Sequence, residues 1–346
     1  MKKRILVTGG AGMVGSHAAE FYAKKGWNVV VLDNLMRSRL FGYDKKSVEY
    51  NWNYLKAYPS ITRIKGDVRN APDVVKALGK GVDAVIHTAG QPGVPSSVRD
   101  PLDDFSINAA GTLTVLECVR KKSPRAAFVY CSTNKIYGEN VDKLPLKELK
   151  TRYAFKGSKG VDEAMSVDHC GHTPYGVSKY VGDLYVQEYA HMYRMRTAVF
   201  RMSCIYGTRQ FGFEDQGWVA WFIIAALKKK KITIYGNGKQ VRDLLYVEDL
   251  VRAFDKFIHT KKHHAVYNIG GGLENTASLR EFLSLLEKEL HIKPSVTFSR
   301  WRPSDQKVYI SDITKVTRQL KWKPGVSVPE GIKRLTRWVK EQKKAF

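Results

Sequence analysis

Two short stretches carry residues able to move a proton. Tyr175-Gly176-Val177-Ser178-Lys179 sets a phenol and an ammonium four residues apart, one helical turn apart on one face. An isolated tyrosine titrates at about 10, and a cation beside it favours phenolate and lowers that value. A phenol tuned in this way takes a proton from a substrate hydroxyl and returns it. Ser132-Thr133 follows the apolar run Ala126 to Cys131, so both hydroxyls are expected just past a strand end, where either could hydrogen-bond the same substrate oxygen. Alone, Tyr-x-x-x-Lys is more often a solvated helix face than a site. A pattern at the start of the chain changes that balance.

There, the short run Ile5-Leu6-Val7-Thr8 leads into Gly9-x-x-Gly12-x-x-Gly15. A helical pattern covers Met13 to Lys25, and Val29 to Leu32 ends on Asp33. Strand, glycine turn, helix, strand and acid is the full context of a dinucleotide fingerprint. The first glycine permits the turn, the second lets backbone approach a pyrophosphate, and the third lets helix pack on sheet. The pyrophosphate then meets the helix N-terminus, where free N–H groups and the dipole favour anions. Asp33 is placed to accept from ribose hydroxyls and disfavours a 2′-phosphate, so the expected cofactor is NAD rather than NADP. Its oxidised nicotinamide would bring a second positive charge to Tyr175.

Further strands are expected at Ile61 to Asp67, Asp83 to His87, Ala126 to Cys131, Arg196 to Met202 and Ala265 to Ile269. Helices alternate with them at Ala71 to Leu78, Pro101 to Lys122 and Tyr175 to Arg194. Leu102, Phe105, Ile107, Ala109, Leu113, Leu116 and Val119 are core candidates of the second helix; Val177, Val181, Leu184 and Val186 are those of the third. Arg37 to Pro59 shows no period and is expected to wrap the surface; Lys143 to Cys170 is expected to be irregular. The alternation predicts an α/β fold, a Rossmann-type doubly wound parallel sheet with a smaller mixed α/β substrate domain. We expect residues 1–203 plus 241–269 to form the NAD domain and 204–240 plus 270–346 the substrate domain. Ligands of such sheets bind beyond the carboxyl ends of the strands, which lines up Gly9, Asp33, Asp67, His87 to Gly90 and Ser132-Thr133.

The net charge of +25 is spread in short clusters, from Lys121-Lys122 through Lys228 to Lys231 to the Lys340-to-Lys344 stretch. Scattered clusters without a nucleic-acid module read as a self-repelling, solvated surface rather than a nucleic-acid interface. Four cysteines without Cys-x-x-Cys pairing suit reduced thiols and a cytoplasmic setting. The histidines have no companions at metal-ligand spacing, so no metal is expected. The longest apolar run, Trp218 to Leu227, is too short to span a bilayer. Glycines cut short the apolar stretch after Met1-Lys2-Lys3-Arg4, which argues against a leader peptide.

Several pieces together resemble the extended short-chain dehydrogenase/reductase family of nucleotide-sugar epimerases and dehydratases over essentially the whole length. They are Thr8 to Gly15, Gly66-Asp67-Val68, His87 to Gly90, Asn108 with Gly111-Thr112, Cys131-Ser132-Thr133 with Tyr137-Gly138, Tyr175-x-x-x-Lys179, Arg201 with Tyr206-Gly207, and Gly236 to Asp243. Ser132 to Gly138, Arg209-Gln210-Phe211, Asp215 to Trp218, and Arg302 with Ser304-Asp305-Gln306 are similar to the CDP-sugar 2-epimerases within it. The resemblance implies that Thr133, Tyr175 and Lys179 are catalytic. It implies that Gly9, Gly12, Met13, Val14, Gly15, Asp33, Asn34, Asp67, Val68, Thr88, Ala89, Gly90, Asn108, Tyr175 and Lys179 hold NAD. It implies a nucleotide-sugar site of Gln91, Ser132, Thr133, Tyr175, Cys204, Gln240, Arg242, Arg302 and Asp305, with the two arginines on the diphosphate. Many relatives carry asparagine at the position of Cys204. A dehydratase normally has an acid after the catalytic hydroxyl; here Asn134 and Lys135 follow. The resemblance implies a homodimer through Pro101–Lys122 and Tyr175–Arg194. The alternatives are a UDP-sugar 4-epimerase, a GDP-sugar 2-epimerase and, in another class, a non-catalytic NAD-binding protein on RNA or another polyanion.

Overall fold

The computed structural model describes residues 2–37, 45–302 and 305–342. Ser304, residues 38–44 of the stretch expected to wrap the surface, and the end of the Lys340-to-Lys344 cluster lie outside the described residues.

The chain opens as the glycine pattern predicts, with β1 (Arg4–Thr8), α1 (Met13–Lys24) and β2 (Asn28–Asp33). It then departs from expectation: α2 (Lys45–Tyr54) and a 3-10 turn at Leu55–Ala57 occupy part of the aperiodic segment. This helix has no broad apolar stripe. It is fixed by single anchors, the covered Leu55 and the buried Asn51, whose amide donates to the Ala11 and Arg209 carbonyls at 3.0 and 3.2 Å.

Next come β3 (Ile61–Lys65), α3 (Ala71–Leu78) and β4 (Ala84–His87); Asn70 caps α3 and Pro72 lies in its first turn, where no N–H is missed. The helix expected over Pro101 to Lys122 is interrupted. After α4 (Val94–Arg99), α5 (Pro101–Phe105) passes through a π-helical turn at Ser106–Ala110 into α6 (Gly111–Lys122). Leu102 and Phe105, expected in the core, are 82% and 50% exposed. Then follow β5 (Ala127–Thr133), a 3-10 run Asn134–Lys143, and a hairpin of β6 (Leu146–Glu148) and β7 (Tyr153–Phe155) inside the segment expected to be irregular. Ser132 and Thr133 are the last residues of β5 rather than lying past it.

The helix α7 (Pro174–Tyr193) starts where Thr173 accepts from the Gly176 N–H at 3.2 Å, and ends with Arg194 in the left-handed region. Val186 is buried, but Val177 and Leu184 are 48% and 46% exposed, contrary to expectation. The remainder is β8 (Arg196–Met202), β9 (Cys204–Tyr206), α8 (Trp218–Leu227), β10 (Ile232–Tyr235), β11 (Val241–Tyr246), α9 (Val247–Ile258), β12 (His264–Ile269), β13 (Thr276–Ser278), α10 (Leu279–Leu290), β14 (Val296–Ser299), β15 (Val308–Tyr309), α11 (Thr314–Leu320) and α12 (Val328–Glu341).

Among the described residues the large sheet has seven strands in the order β12-β8-β5-β4-β1-β2-β3, every pair parallel. Period-two alternation feeds both faces: Ile5 and Val7 join Tyr22, Phe254 and Val316 on one side, Leu6 joins Leu78, Val119 and Val186 on the other. A second core, with Phe222, Ile223, Phe282 and Leu335, lies under a small sheet of β13, β11, β15 and β9. The expected domain limits shift in two places. Residues 241–246 pair with β9, β13 and β15, and of them Leu245 alone packs in the first core, so most of the return to the first unit comes with α9. Val316, Leu320 and Trp322 pack in the first core although they fall in the segment expected in the second. Short apolar runs do not say which core they cover; the packing does. Among the described residues no helix is long and apolar enough to cross a membrane.

Candidate active site

The cleft lies at the carboxyl edge of the large sheet. Gly9, Gly12, Met13, Val14, Asp33, Asn34, Asp67, Val68, Thr88, Ala89, Gly90, Gln91, Tyr175 and Lys179 all line it. Gly9 turns there with φ +69°, and a Cβ on it would stand 2.6 Å from the Ala89 nitrogen. Gly12 caps α1 without any side-chain bond, and a Cβ there would approach only the Gly9 carbonyl. The first-turn N–H groups, which have no intrahelical acceptors, therefore open on the cleft without a competing side chain. Asp33 accepts from the Ala11 and Leu35 nitrogens at 2.9 and 2.7 Å; burial raises its pKa and these bonds oppose the rise. Asn34 donates to Asp67 at 2.9 Å. Burial works against the Asp67 charge, but the two-pronged hydrogen bonds from Arg69 hold its pKa at about 2. A bare cradle, a helix start and an acid at the end of the neighbouring strand fit a dinucleotide.

Two residues expected to touch ligand lie behind the wall. Asn108 has no exposed surface; its amide donates to the Gln91 carbonyl, Asp104 and Ser178, and its oxygen accepts from the Gln91 nitrogen at 2.9 Å. It sits in the π-helical turn, so the break in that helix aims a brace at the loop carrying Gly90 and Gln91. Ser132 is also fully covered and donates to Asp183 at 2.7 Å, and Asp183 in turn pairs with buried Arg201 at 3.0 Å. Gln91 lines the cleft, yet its own amide group is bonded to the Gly93 carbonyl and Asp104 at 2.8 Å each.

Thr133 and Tyr175 meet through their hydroxyls. Tyr175 stands in the first turn of α7, its backbone nitrogen donating to Ser97 at 3.1 Å. Burial pushes its pKa up to about 12, with the Thr133 bond opposing. This reverses the expected direction: in the chain alone, desolvation of the phenolate outweighs any nearby cation. Lys179 rests 4.3 Å from the Tyr130 ring centroid, and burial lowers its pKa to about 8.

The residues expected to meet substrate from the second unit, Cys204, Gln240, Arg242, Arg302 and Asp305, are not on the cleft lining, and their charges are paired. Arg242 bonds Asp305 at 2.5 Å, and Arg302 bonds Asp215 at 2.8 Å while stacking 3.9 Å from the Tyr235 centroid. Gln240 donates to the Tyr235 carbonyl at 2.7 Å and ties the turn before β11. Cys204 opens β9, its thiol kept neutral by burial, which raises its pKa to about 12. Sequence reasoning gave no role to Lys135, whose pKa burial and then Arg242 lower to about 8. Nor did it place Gln210 and Gln216 on the cleft wall.

The sequence pattern of the NAD dependent epimerase/dehydratase family matches residues 5–270. The chain belongs to that family. It is an enzyme fold of the epimerase type built for NAD. It is 38% identical to the CDP-paratose 2-epimerase of Salmonella typhi, covering 97% of this chain and 98% of that one. It is 32% identical to a putative UDP-glucose 4-epimerase of Methanocaldococcus jannaschii, again over 97% and 98%. A solved UDP-glucuronic acid 4-epimerase of Bacillus cereus, in complex with UDP-glucuronic acid and NAD, superposes with a TM-score of 0.81 at 27% identity, covering 98% of this chain and 99% of that one.

Proposed function

We propose that the protein inverts C2 of a CDP-linked hexose by transient oxidation to a keto sugar. The observation that carries the reading is the Tyr175 phenol, hydrogen-bonded to Thr133, on the wall of the cleft that Lys179 and the glycine cradle also line. The choice of CDP and C2 is supported by 38% identity to a CDP-paratose 2-epimerase, against 32% to the putative UDP-glucose 4-epimerase.

NAD supplies the hydride acceptor and later the donor, so no net oxidation results. Tyr175 takes the proton of the sugar hydroxyl as its carbon loses hydride, and gives it back once the hydride has returned to the opposite face. Thr133 holds the reacting oxygen beside Tyr175. Lys179, with Tyr175, carries the cofactor ribose and the positive charge that eases the phenol toward phenolate. Arg242 and Arg302 grip the diphosphate, exchanging the Asp305 and Asp215 carboxylates for phosphate oxygens. Asn108 and Ser132 act from behind, fixing the loop at Gln91 and the end of β5. We place the reaction in the cytoplasm.

A homodimer belongs to the same proposal. Val98, Leu102 and Phe105 project from α4 and α5, and Val177, Leu184, Met192 and Tyr193 from α7, all between 48% and 82% exposed apart from Leu184 at 46%. Such a face on neighbouring helices suits a self-complementary interface.

The test is incubation with CDP-, GDP- and UDP-hexoses in deuterium oxide, followed by NMR of the products. We expect inversion at C2 of a CDP-sugar with no deuterium at that carbon. Inversion only at C4, or only of a GDP- or UDP-sugar, moves the assignment to that reaction. No conversion of any sugar by NAD-loaded protein removes the catalytic reading in favour of polyanion binding.

A further inference from the structure

The segment from Thr208 to Gly217 joins the substrate unit, yet two of its side chains, Gln210 and Gln216, form part of the cofactor cleft. Its near end is fixed to the cofactor helix. Thr208 meets His17 at 3.0 Å; burial lowers the His17 pKa to about 3, so this contact is made by a neutral ring. Arg209, buried and with φ +60°, donates to Ser16 at 3.2 Å and pairs with Glu20 at 2.8 Å. The far end is held differently. Arg37, which lies beyond Asp33 on the opposite rim, donates to the Phe211 carbonyl at 2.9 Å and to Gln216 Oε1 at 2.8 Å. Arg37 itself lines the cleft. The segment thus links the cofactor helix to the residue that follows β2, and both ends of the link reach the cleft wall through Gln210, Gln216 and Arg37.

One atom points to a ligand. Gln210 is 4% exposed and lines the cleft; its Nε2 donates weakly to the Ile205 carbonyl at 3.4 Å, while its Oε1 is buried without a hydrogen-bond partner among the described residues. A buried amide oxygen left bare costs about 1–3 kcal/mol. The ribose hydroxyls of a dinucleotide are donors of the kind it lacks.

We infer that residues 208–217 are the outer wall of the NAD site: Gln210 accepts a hydrogen bond from the bound dinucleotide, and the Arg37–Gln216 bond straps the segment across it, so that cofactor leaves only when this bond opens. The same segment carries Asp215, which holds Arg302. A diphosphate that draws Arg302 away from Asp215 therefore acts on the strap that retains the cofactor.

The experiment measures release of NAD from the purified holoenzyme into a large excess of the fluorescent etheno derivative of NAD, with no sugar present. Arg37→Met and Gln216→Ala should each release NAD at least about tenfold faster than wild type. The double variant should be no faster than Arg37→Met alone, because that change already removes the bond to Gln216 together with the one to the Phe211 carbonyl. Gln216→Glu, which keeps an acceptor for Arg37, should release as slowly as wild type. Gln210→Ala should weaken NAD binding at equilibrium without altering the melting temperature of the cofactor-free protein. Unchanged release in Arg37→Met and Gln216→Ala overturns the strap, and unchanged affinity in Gln210→Ala overturns the contact. Faster release in Gln216→Glu as well also overturns the strap, since the bond to Arg37 would then not be what retains NAD.

Discussion

Tyr175 and Lys179 occupy one buried patch with opposite needs. Tyr175 is held neutral by desolvation, at about 12, until positive charge arrives with the cofactor. Tyr175→Phe keeps the ring and removes only the proton carrier; turnover should fall about 10²- to 10⁴-fold while NAD still binds, as read by steady-state kinetics and calorimetry. Lys179 is moved from 10.5 to about 8 by burial. Below pH 8 it is charged in both the folded and the unfolded chain, and folding bears the full cost of burying that charge. Between pH 8 and 10.5 the folded form is neutral while the unfolded one still binds a proton, so stability rises with pH and the cost fades. Lys179→Met in the cofactor-free protein should therefore be more stable than wild type at pH 7, by up to about 3 kcal/mol. The gain should be largely gone at pH 10, and urea titrations at the two pH values measure it. That the two share one cleft wall was legible from their spacing, but the sign of the Tyr175 shift was not, because it depends on how completely the phenol is covered.

At the scale of elements, the glycine turn is the most demanding piece. Gly9→Ala places a Cβ against the backbone of the Thr88–Ala89 loop and asks alanine for φ +69°. NAD binding should be lost in calorimetry, with the protein destabilised as well. The end of β5 depends on the chain Ser132–Asp183–Arg201, all buried. Asp183→Ala leaves the Arg201 charge with fewer partners and should cost about 3–5 kcal/mol in urea denaturation. Elements with a clear period, α1, α3 and the parallel strands of the large sheet, were readable in advance. The helix α2 was not, because Asn51 and a few aromatic contacts hold it rather than an apolar stripe. The π-helical turn was not either, since its cause is Asn108 reaching across to Gln91 and Ser178, residues distant in sequence.

The whole molecule is strongly cationic, at +25, yet presents an apolar face on α4, α5 and α7. Charge repulsion opposes association and is screened by salt; burial of that face favours it. We expect a dimer in sedimentation velocity at about 0.15 M salt, with Leu102→Glu and Met192→Glu shifting it to monomer and leaving the monomer folded. A dimer unaffected by either change would place the interface elsewhere.

By itself the sequence determined that the glycine turn and Asp33 line one cleft. Gly9, Gly12, Gly15 and Asp33 lie within one strand–helix–strand unit, and the chemistry of such a unit follows from local spacing. It also determined the Tyr175 and Lys179 pair, which one helical turn brings together. Only the tertiary structure decided which of the remaining polar residues face the cleft. It turned Ser132 and Asn108 behind the wall, paired Arg242 and Arg302 with carboxylates, and brought Gln210 and Gln216 to the cleft wall. These outcomes depend on contacts between segments separated by tens to hundreds of residues. Residue type and spacing carry no record of such contacts until two cores have packed.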